Sequence, residues 1–400
     1  MAGVWAGVDA GKTHHHCVVI DGDGKRLLSR RVASDEPELL GLIGDVTALG
    51  EATWAVDLPD GGAALLIGLL LDAGQELLYI PGRAVNRAAA GYRGEGKTDA
   101  RDAAVIADQA RMRRDLQPLR PGDELTAELK LLTARRSDLV AGRTRVISRL
   151  RELLTSIFPA LERALGELKN TGPLTLLTGY QTPAAIRGAG QENLEAWLRD
   201  RKVRNAGKLA AAAAGAAARQ HAVLPAEKLT AQLIAALAGE VMNLNEQVRE
   251  LDKLIEDRFH RHELAPVIES MPGIGPLLGA EFLAATGGNM AAFGTTDRLA
   301  GFAGLAPAPR DSGRIRGNLH RPQRYHRGLN RVFYHSAMVS ITCSDESRAF
   351  YDRKRAEGKK HTQAVLALAR KRVNVLWALI RDKRTYQARA PRHAATEAAA

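Results

Sequence analysis

Six residue positions carry most of the chemistry this chain could do. Ser312 lies in the stretch 304–331 and is followed by Gly313. Around it stand Arg310, Arg314, Arg316, Arg321, Arg324, Arg327 and Arg331. A hydroxyl nucleophile among guanidinium groups suits attack on a phosphodiester, because the cations bind the backbone and stabilise charge on the phosphate. A solvated basic loop with a Ser-Gly turn would have the same composition. The other positions are acids: Asp9, Asp57, Asp99 and Asp102, with Asp60 as an alternative to Asp57. Carboxylate oxygens with few other donors suit Mg²⁺, or Mn²⁺ in its place. Two such ions can stabilise the attacking and leaving oxygens of a phosphoryl transfer. Taken singly, each acid has a plainer explanation, as a turn residue after a strand or a partner for a helix dipole.

The elements that would position the acids can be read from the spacing. Strands are predicted over 4–9, 15–21, 26–33, 53–58 and 77–81, with an Asp-Gly hairpin turn at 21–24. Helices are predicted over 35–49, capped by Ser34, and over 62–73 and 98–113. This β-β-β-α-β-α-β-α order is that of ribonuclease-H-like α/β domains. In that order Asp9 ends the first strand, Asp57 ends the fourth, and Asp99 and Asp102 share the first turn of the last helix. All four would converge. His14, His15 and His16 look like a metal tract, but strand alternation sends His15 to the opposite face from its neighbours, so they are read as surface or packing residues. The segment 83–99 is basic, and Arg87, Arg93 and Lys97 could hold phosphates, with Tyr92 stacking on a base.

The chain has 400 residues, ample for two or three domains. Its net charge of +12 is unevenly placed. Residues 301–400 hold 21 Lys and Arg against 7 Asp and Glu, leaving 36 against 38 in the first 300. A basic C-terminal quarter on a near-neutral body points to a polyanion partner. Two cysteines exclude a disulfide framework and a cysteine-based zinc site. No secretory leader and no membrane-length apolar run is legible, so a cytoplasmic protein is expected, without membrane contact.

Between residues 119 and 265 two long apolar stripes recur at three- and four-residue steps. One runs from Leu125 to Ile157, interrupted by Arg136 and Arg143, and the other from Leu229 to Ile255. They predict a coiled coil or oligomerisation arm, with shorter helices over 167–225 and no chemistry. The C-terminal region, 266–388, is expected to be mostly helical. Its Pro-Gly-Ile-Gly turn resembles a helix-hairpin-helix hairpin, in which Gly273 and Gly275 would let backbone N–H groups approach a phosphate. Residues 389–400 read as a disordered tail.

The segments GVDAGK (7–12), WAVDLPDGG (54–62), GEGKTDARDA (94–103), MPGIGP (271–276) and GLAPAPRDSG (304–313), in this order, resemble the DEDD transposases of bridge-RNA-guided insertion sequences. The resemblance covers nearly the whole chain. It implies a RuvC-like domain over 1–118, a coiled coil over 119–265 and a transposase domain over 266–388. It implies that Asp9, Asp57, Asp99 and Asp102 are the metal-binding acids and Ser312 the catalytic serine. The family's second acid is usually Glu, and here the matching position is Asp57. The implied activity is RNA-guided DNA recombination through a 5′-phosphoserine intermediate. The implied partners are DNA of the element ends and target, a guide (bridge) RNA from the same element, and further copies of the chain, as homodimers assembling into tetramers. A bacterial, nucleoid-associated location goes with it. The alternatives are a RuvC-like junction nuclease that uses the acids and water, and a non-catalytic nucleic-acid scaffold.

Overall fold

The computed structural model describes residues 3–58, 61–92, 98–114, 116–119, 124–314, 316–320 and 322–388. The chain divides into two compact units, residues 1–122 and 123–400.

The first unit is an α/β domain built on a six-stranded mixed sheet. Its elements are β1 (Gly3–Ala10), β2 (His14–Ile20), β3 (Arg26–Ala33), α1 (Glu36–Leu49), β4 (Glu51–Val56), α2 (Ala64–Asp72), β5 (Glu76–Tyr79), α3 (Gly82–Ala89), α4 (Asp99–Met112) and β6 (Gln117–Pro118). The sheet order is β3-β2-β1-β4-β5-β6. β1 and β4 run parallel, as do β4 and β5, while β1–β2, β2–β3 and β5–β6 are antiparallel. The β2–β3 turn is held by Asp21, whose Oδ1 accepts from the Asp23 and Lys25 amides at 3.0 and 2.9 Å. Strand alternation sorts the side chains. Val4, Ala6, Val8, Cys17, Val19, Trp54 and Val56 form one core with α1 and α2. Trp5, Val18 and Ile20 lie on the opposite face with Ala103 and Ala107 of α4.

The main α/β order is as the sequence predicts, with three local differences. Asp35, not Ser34, caps α1, its Oδ1 accepting from the Glu38 amide at 3.1 Å. The basic stretch after β5 begins as helix α3, and the short strand β6 extends the sheet. Both are brief elements with too few residues to show a period.

The second unit is almost wholly helical. Its first part holds α5 (Glu124–Ile157), α6 (Pro159–Leu165), α7 (Thr171–Gly179), α8 (Pro183–Asp200), α9 (Ala206–Ala217) and α10 (Glu227–His260). Pairings of Glu128 with Arg258, Arg136 with Asp252 and Arg143 with Asn245 show that α5 and α10 pack antiparallel. The two arginines that interrupt the α5 stripe thus face polar partners on α10. The stripes themselves are followed in part. Leu129, Leu139, Val146, Leu150 and Ile157 are buried, whereas Leu229 and Leu233 are 60% and 47% exposed. The segment between the long helices makes a core of its own. Phe158, Leu161, Leu174, Leu177, Leu194 and Leu198 pack there with Ala210, Ala213 and Ala217 against Ile234 and Ala238.

The remainder holds α11 (Ala265–Glu269), α12 (Pro276–Thr286), α13 (Thr296–Phe302), a hairpin of β7 (Ala308–Pro309) and β8 (Leu319–His320), α14 (Arg327–Cys343), α15 (Asp345–Ala356) and α16 (His361–Arg381). Of these, α15 is the helix with the least sequence signal. It is strongly polar and buries little besides Ser347, so it shows no apolar stripe. The C-terminal core joins Phe282, Phe333, Leu329, Ala337, Leu368 and Leu376 with Phe259 of α10. No described helix is long and apolar enough to cross a membrane. The expected tail, 389–400, lies outside the described residues.

One contact sets the layering of the α/β unit. A Cβ built on Gly7 would lie 2.2 Å from the Ala107 amide nitrogen and 2.3 Å from the Ala103 carbonyl oxygen. Both are backbone atoms of α4 and cannot swing aside. Gly7→Ala is therefore expected to destabilise the protein by about 3 kcal/mol or more, as forced overpacking does. Chemical denaturation of the two proteins, followed by circular dichroism, checks this, and an unchanged midpoint would refute it.

Candidate active site and nucleic-acid interface

The acids are positioned by the sheet and by α4. The β1–β4 register pairs Val8 with Val56, so the next residues along are Asp9 on β1 and Asp57 just past β4. The Ala10 amide donates to Asp57 Oδ1 at 3.4 Å, tying the two strand ends. Thr98 caps α4 by accepting from the Arg101 amide at 3.2 Å. Asp99 and Asp102 then fall in the first turn. Arg101 donates to the Ala89 and Tyr92 carbonyls at 3.2 and 3.1 Å, fastening this turn to the end of α3. The motif around KTDARDA therefore contains a cap, an anchor and two acids, each with its own task.

Electrostatics link these groups in pairs, Asp57 with Asp102 and His16 with Asp99. Burial pushes the Asp57 carboxyl above the usual aspartate range, and the charge of Asp102 pushes it further, against the opposing hydrogen bond from Ala10. His16 pairs with Asp9 across the β1–β2 register, on the same sheet face. Burial holds its ring below the usual histidine range while the charge of Asp99 acts in the opposite direction. His16 Nε2 also meets the Ser29 hydroxyl at 3.0 Å. His16 is thus the residue the sequence reading passed over. Alternation separates it from His15, but only the register shows that its face is the one carrying Asp9. His15 is buried on the other face, with neither ring nitrogen hydrogen-bonded. Among the described residues no group of three or more His, Cys, Asp or Glu stands close enough to hold a metal ion as placed. Asp60 lies outside the described residues. Cys17 is fully buried and its thiol is pushed up to about 12, so it is neither nucleophile nor ligand at neutral pH.

The basic candidates of this unit fare unevenly. Arg87 is exposed on α3, while Arg93 and Lys97 lie outside the described residues. Tyr92 is half-buried, and its hydroxyl donates to Asp108 of α4 at 2.6 Å.

In the second unit Ser312 lies in the loop of the β7–β8 hairpin. The Arg310 amide donates to the Asn318 carbonyl at 2.9 Å, and the Asn318 amide donates to Asp311 Oδ1 at 2.9 Å. Asp311 is therefore a structural acid. Gly313 and Gly317 take left-handed backbone, φ 48° and 75°, which lets the loop turn tightly. Ser312, Arg310, Arg314, Arg316, Arg324 and Arg327 are all exposed. Arg310 also lines a cavity of about 450 Å³ with His320, Gln323 and Tyr325. Other serines near the basic region are engaged in structure: Ser336 is buried against Arg372, Ser344 caps α15, and Ser347 is buried.

The glycine turn has a packing role that its sequence does not show. Gly273 has φ 78°, and a Cβ there would meet the Ser336 carbonyl oxygen at 2.6 Å and the Ser340 amide at 2.9 Å. Its glycine is needed to pack on α14. Arg372 of α16 reinforces this, donating to the Pro272 carbonyl and, at 2.9 Å, to the Ser336 hydroxyl. Its burial without a carboxylate among these partners lowers its pKa to about 10. Gly275 precedes α12, with open space where a Cβ would be.

Residues 6–159 match the family model of the IS110 DEDD transposases, and residues 265–352 match that of the IS116/IS110/IS902 transposase family. The chain belongs to this transposase family. It is 61% identical over 400 residues to the uncharacterized 42 kDa protein of insertion element IS900 from Mycobacterium paratuberculosis, covering 99% of each chain. It is 51% identical to the uncharacterized 44.8 kDa protein of IS116 from Streptomyces clavuligerus, covering 96% of each. A mini-circle putative transposase for IS117 from Streptomyces coelicolor is 28% identical over 90% of each chain. Among solved structures, RuvC of T. thermophilus in complex with a Holliday junction substrate is similar over 29% of this chain and 99% of its own, at 19% identity and a TM-score of 0.22. As a member of the IS110/IS116 family the chain is a DNA transposase, an enzyme of recombination.

The raised pKa of Asp57 has a defined consequence. The folded state holds this proton more tightly than the unfolded chain, so the stability contribution of Asp57 is largest below the usual aspartate pKa. It is lost as pH rises through the raised folded value. Asp57→Asn cannot ionise. In chelator it is expected to be more stable than the parent at neutral pH, with the gap closing below about pH 4. Thermal melts across this range check it, and a gap that does not depend on pH would contradict it.

Proposed function

We propose that this transposase cuts and rejoins DNA through a covalent intermediate on Ser312, under the direction of a guide RNA. The observation that carries the reading is an exposed serine in the loop of a hairpin, with arginines on both sides of it. The Ser312 Oγ attacks the phosphorus, an Oγ–P bond forms, and the P–O3′ bond breaks. The hydroxyl proton leaves with the 3′ oxygen as a 3′-OH. Attack by a 3′-OH on the phosphoserine reverses the step and reseals the strand, so bond number is conserved and no nucleotide hydrolysis is needed. Arg310, Arg314 and Arg316 bind the phosphate and stabilise the charge that develops on it. Arg324 and Arg327 extend the cationic surface along the backbone, and Arg87, Arg93, Lys97 and the Gly273–Gly275 turn belong to the same proposed interface.

Asp9, Asp57, Asp99 and Asp102 are the residues that would hold Mg²⁺, or Mn²⁺ in its place. The fit rests on the donor set and on Asp57, whose carboxyl is disfavoured as an anion by burial and by Asp102. A cation is the group that relieves both. Bound there, it would supply a Lewis acid for the phosphate and its leaving oxygen. Base pairing by the RNA would select the DNA sequence, leaving the protein to read backbone and shape. Self-association through the paired helices, as dimers and tetramers in a coiled-coil arrangement, completes the reading.

The test is a denaturing gel of labelled junction DNA incubated with the protein, its co-purified RNA and Mg²⁺. A label that migrates with the protein is expected for the parent and absent for Ser312→Ala and for Asp102→Ala. Cleaved DNA with no attached protein would replace the serine step by attack of water. Mg²⁺ is also expected to raise the melting temperature of the parent and not of Asp102→Ala.

A further inference from the structure

The segment between the long helices is expected from sequence to hold shorter helices and no chemistry, yet it contains a cavity of about 740 Å³. The cavity lies where the end of α6, the start of α7, the α8–α9 turn and the start of α9 meet. Its lining has an apolar part, with Leu165, Pro173, Val203 and Leu209, beside the polar Asn170, Thr171 and Asn205. Its rim carries Lys202, Arg204 and Lys208, all exposed. None of these three has an ion-pair partner among the described residues. The acids nearby in sequence are engaged elsewhere: Glu195 with Arg199, Asp200 with Arg201, and Glu167 with Lys169. Lys202 also takes a left-handed backbone, φ 59°, which a residue with a side chain rarely adopts. Two helices begin at this cavity, and neither Asn170 nor Asn205 caps its helix with a side-chain bond. Their N-termini add to the positive field of the three cations.

We propose that this cavity binds one unpaired nucleotide of a nucleic-acid strand, with the base over the apolar part of the lining and the flanking phosphates on Lys202, Arg204 and Lys208. An inorganic phosphate would use the rim but leave most of the volume and all of the apolar part unfilled. A duplex does not enter a concavity of this size, because its bases are stacked inside it. An unpaired nucleotide matches both parts, as a π-face with a charged backbone. The shared chemistry is that of a single strand, either RNA or a displaced DNA strand. The proposal rests on the reading that this transposase handles nucleic acid through sites other than its chemistry.

The experiment uses the full-length protein and two fluorescent probes of about 15 nucleotides, oligouridine RNA and oligothymidine DNA. Two variants are compared with the parent. Lys202→Ser/Arg204→Ser/Lys208→Ser removes the exposed rim charge, and Ala212→Phe fills the cavity with the charges in place. Circular dichroism melts confirm that both fold. The triple variant is expected to bind at least about tenfold more weakly at ~0.1 M salt, with the salt slope reduced by roughly 2. Ala212→Phe is expected to weaken binding several-fold at an unchanged slope. Loss confined to one probe supports the pocket and identifies the strand it takes. Unchanged binding of both probes by the triple variant overturns the proposal. So does parent-like binding by Ala212→Phe, which would make the rim a mere charged patch. Should the parent form no covalent DNA adduct while the variants still lose strand binding, the serine mechanism falls and the pocket stands.

Discussion

The close approach of α4 to β1 at Gly7 is the constraint on which the acidic site depends. Only a residue without Cβ lets the Ala103–Ala107 backbone sit directly on the strand. With the helix seated there, its capped first turn lies over the strand ends that carry Asp9 and Asp57. The mutual perturbation of Asp57 and Asp102 follows from that seating. Gathering anionic groups costs free energy in the absence of a cation, and the fold tolerates this cost because the surrounding contacts are apolar and numerous. Val18, Ile20 and Trp5 pack under α4, and their burial favours this seating.

The second unit solves a different problem: anchoring the base of an exposed loop. The β7–β8 hairpin has only two paired residues on each side, too few to be stable alone. Asp311 and Asn318 close it from within. At its base, Gly304 accommodates Tyr325, because a Cβ there would meet that ring at 2.4 Å. His326 then caps α14, its Nδ1 accepting from the Leu329 amide at 3.0 Å. Further down α14, Arg372 clasps Ser336 and the Pro272 carbonyl, so the glycine turn and the serine-bearing hairpin share one helix as their support. A guanidinium suits this task, since its fork satisfies several acceptors at once while remaining charged when buried.

The central helices show why a stripe of apolar residues is an incomplete guide. A repeating stripe states that a helix has a partner, but not which partner. Part of the α5 and α10 stripes is spent on each other, and part on the small helices α6 to α9, which fill a core with alanines and leucines. The alanine-rich run that looks like low complexity is the close-packed face of α9, where small side chains let neighbouring helices approach. Leu229 and Leu233 remain outside both cores.

Several features were decided by sequence alone. The order of strands and helices in the α/β unit, the places of Asp9 and Asp57 at strand ends and of Asp99 and Asp102 in a helix's first turn, and the serine among arginines all follow from local rules. Alternation, capping and turn chemistry act over a few residues and can be read in one dimension. Tertiary structure decided what depends on register and packing. His16 became a neighbour of Asp9 through strand pairing. Gly273 took its role from α14, more than 60 residues away in the chain. Tyr92 was tied to Asp108, and the cavity beside Lys202 was assembled from four separate segments. Such contacts join residues distant in sequence, and their energies depend on which surfaces meet when the core closes, a fact that no local pattern encodes.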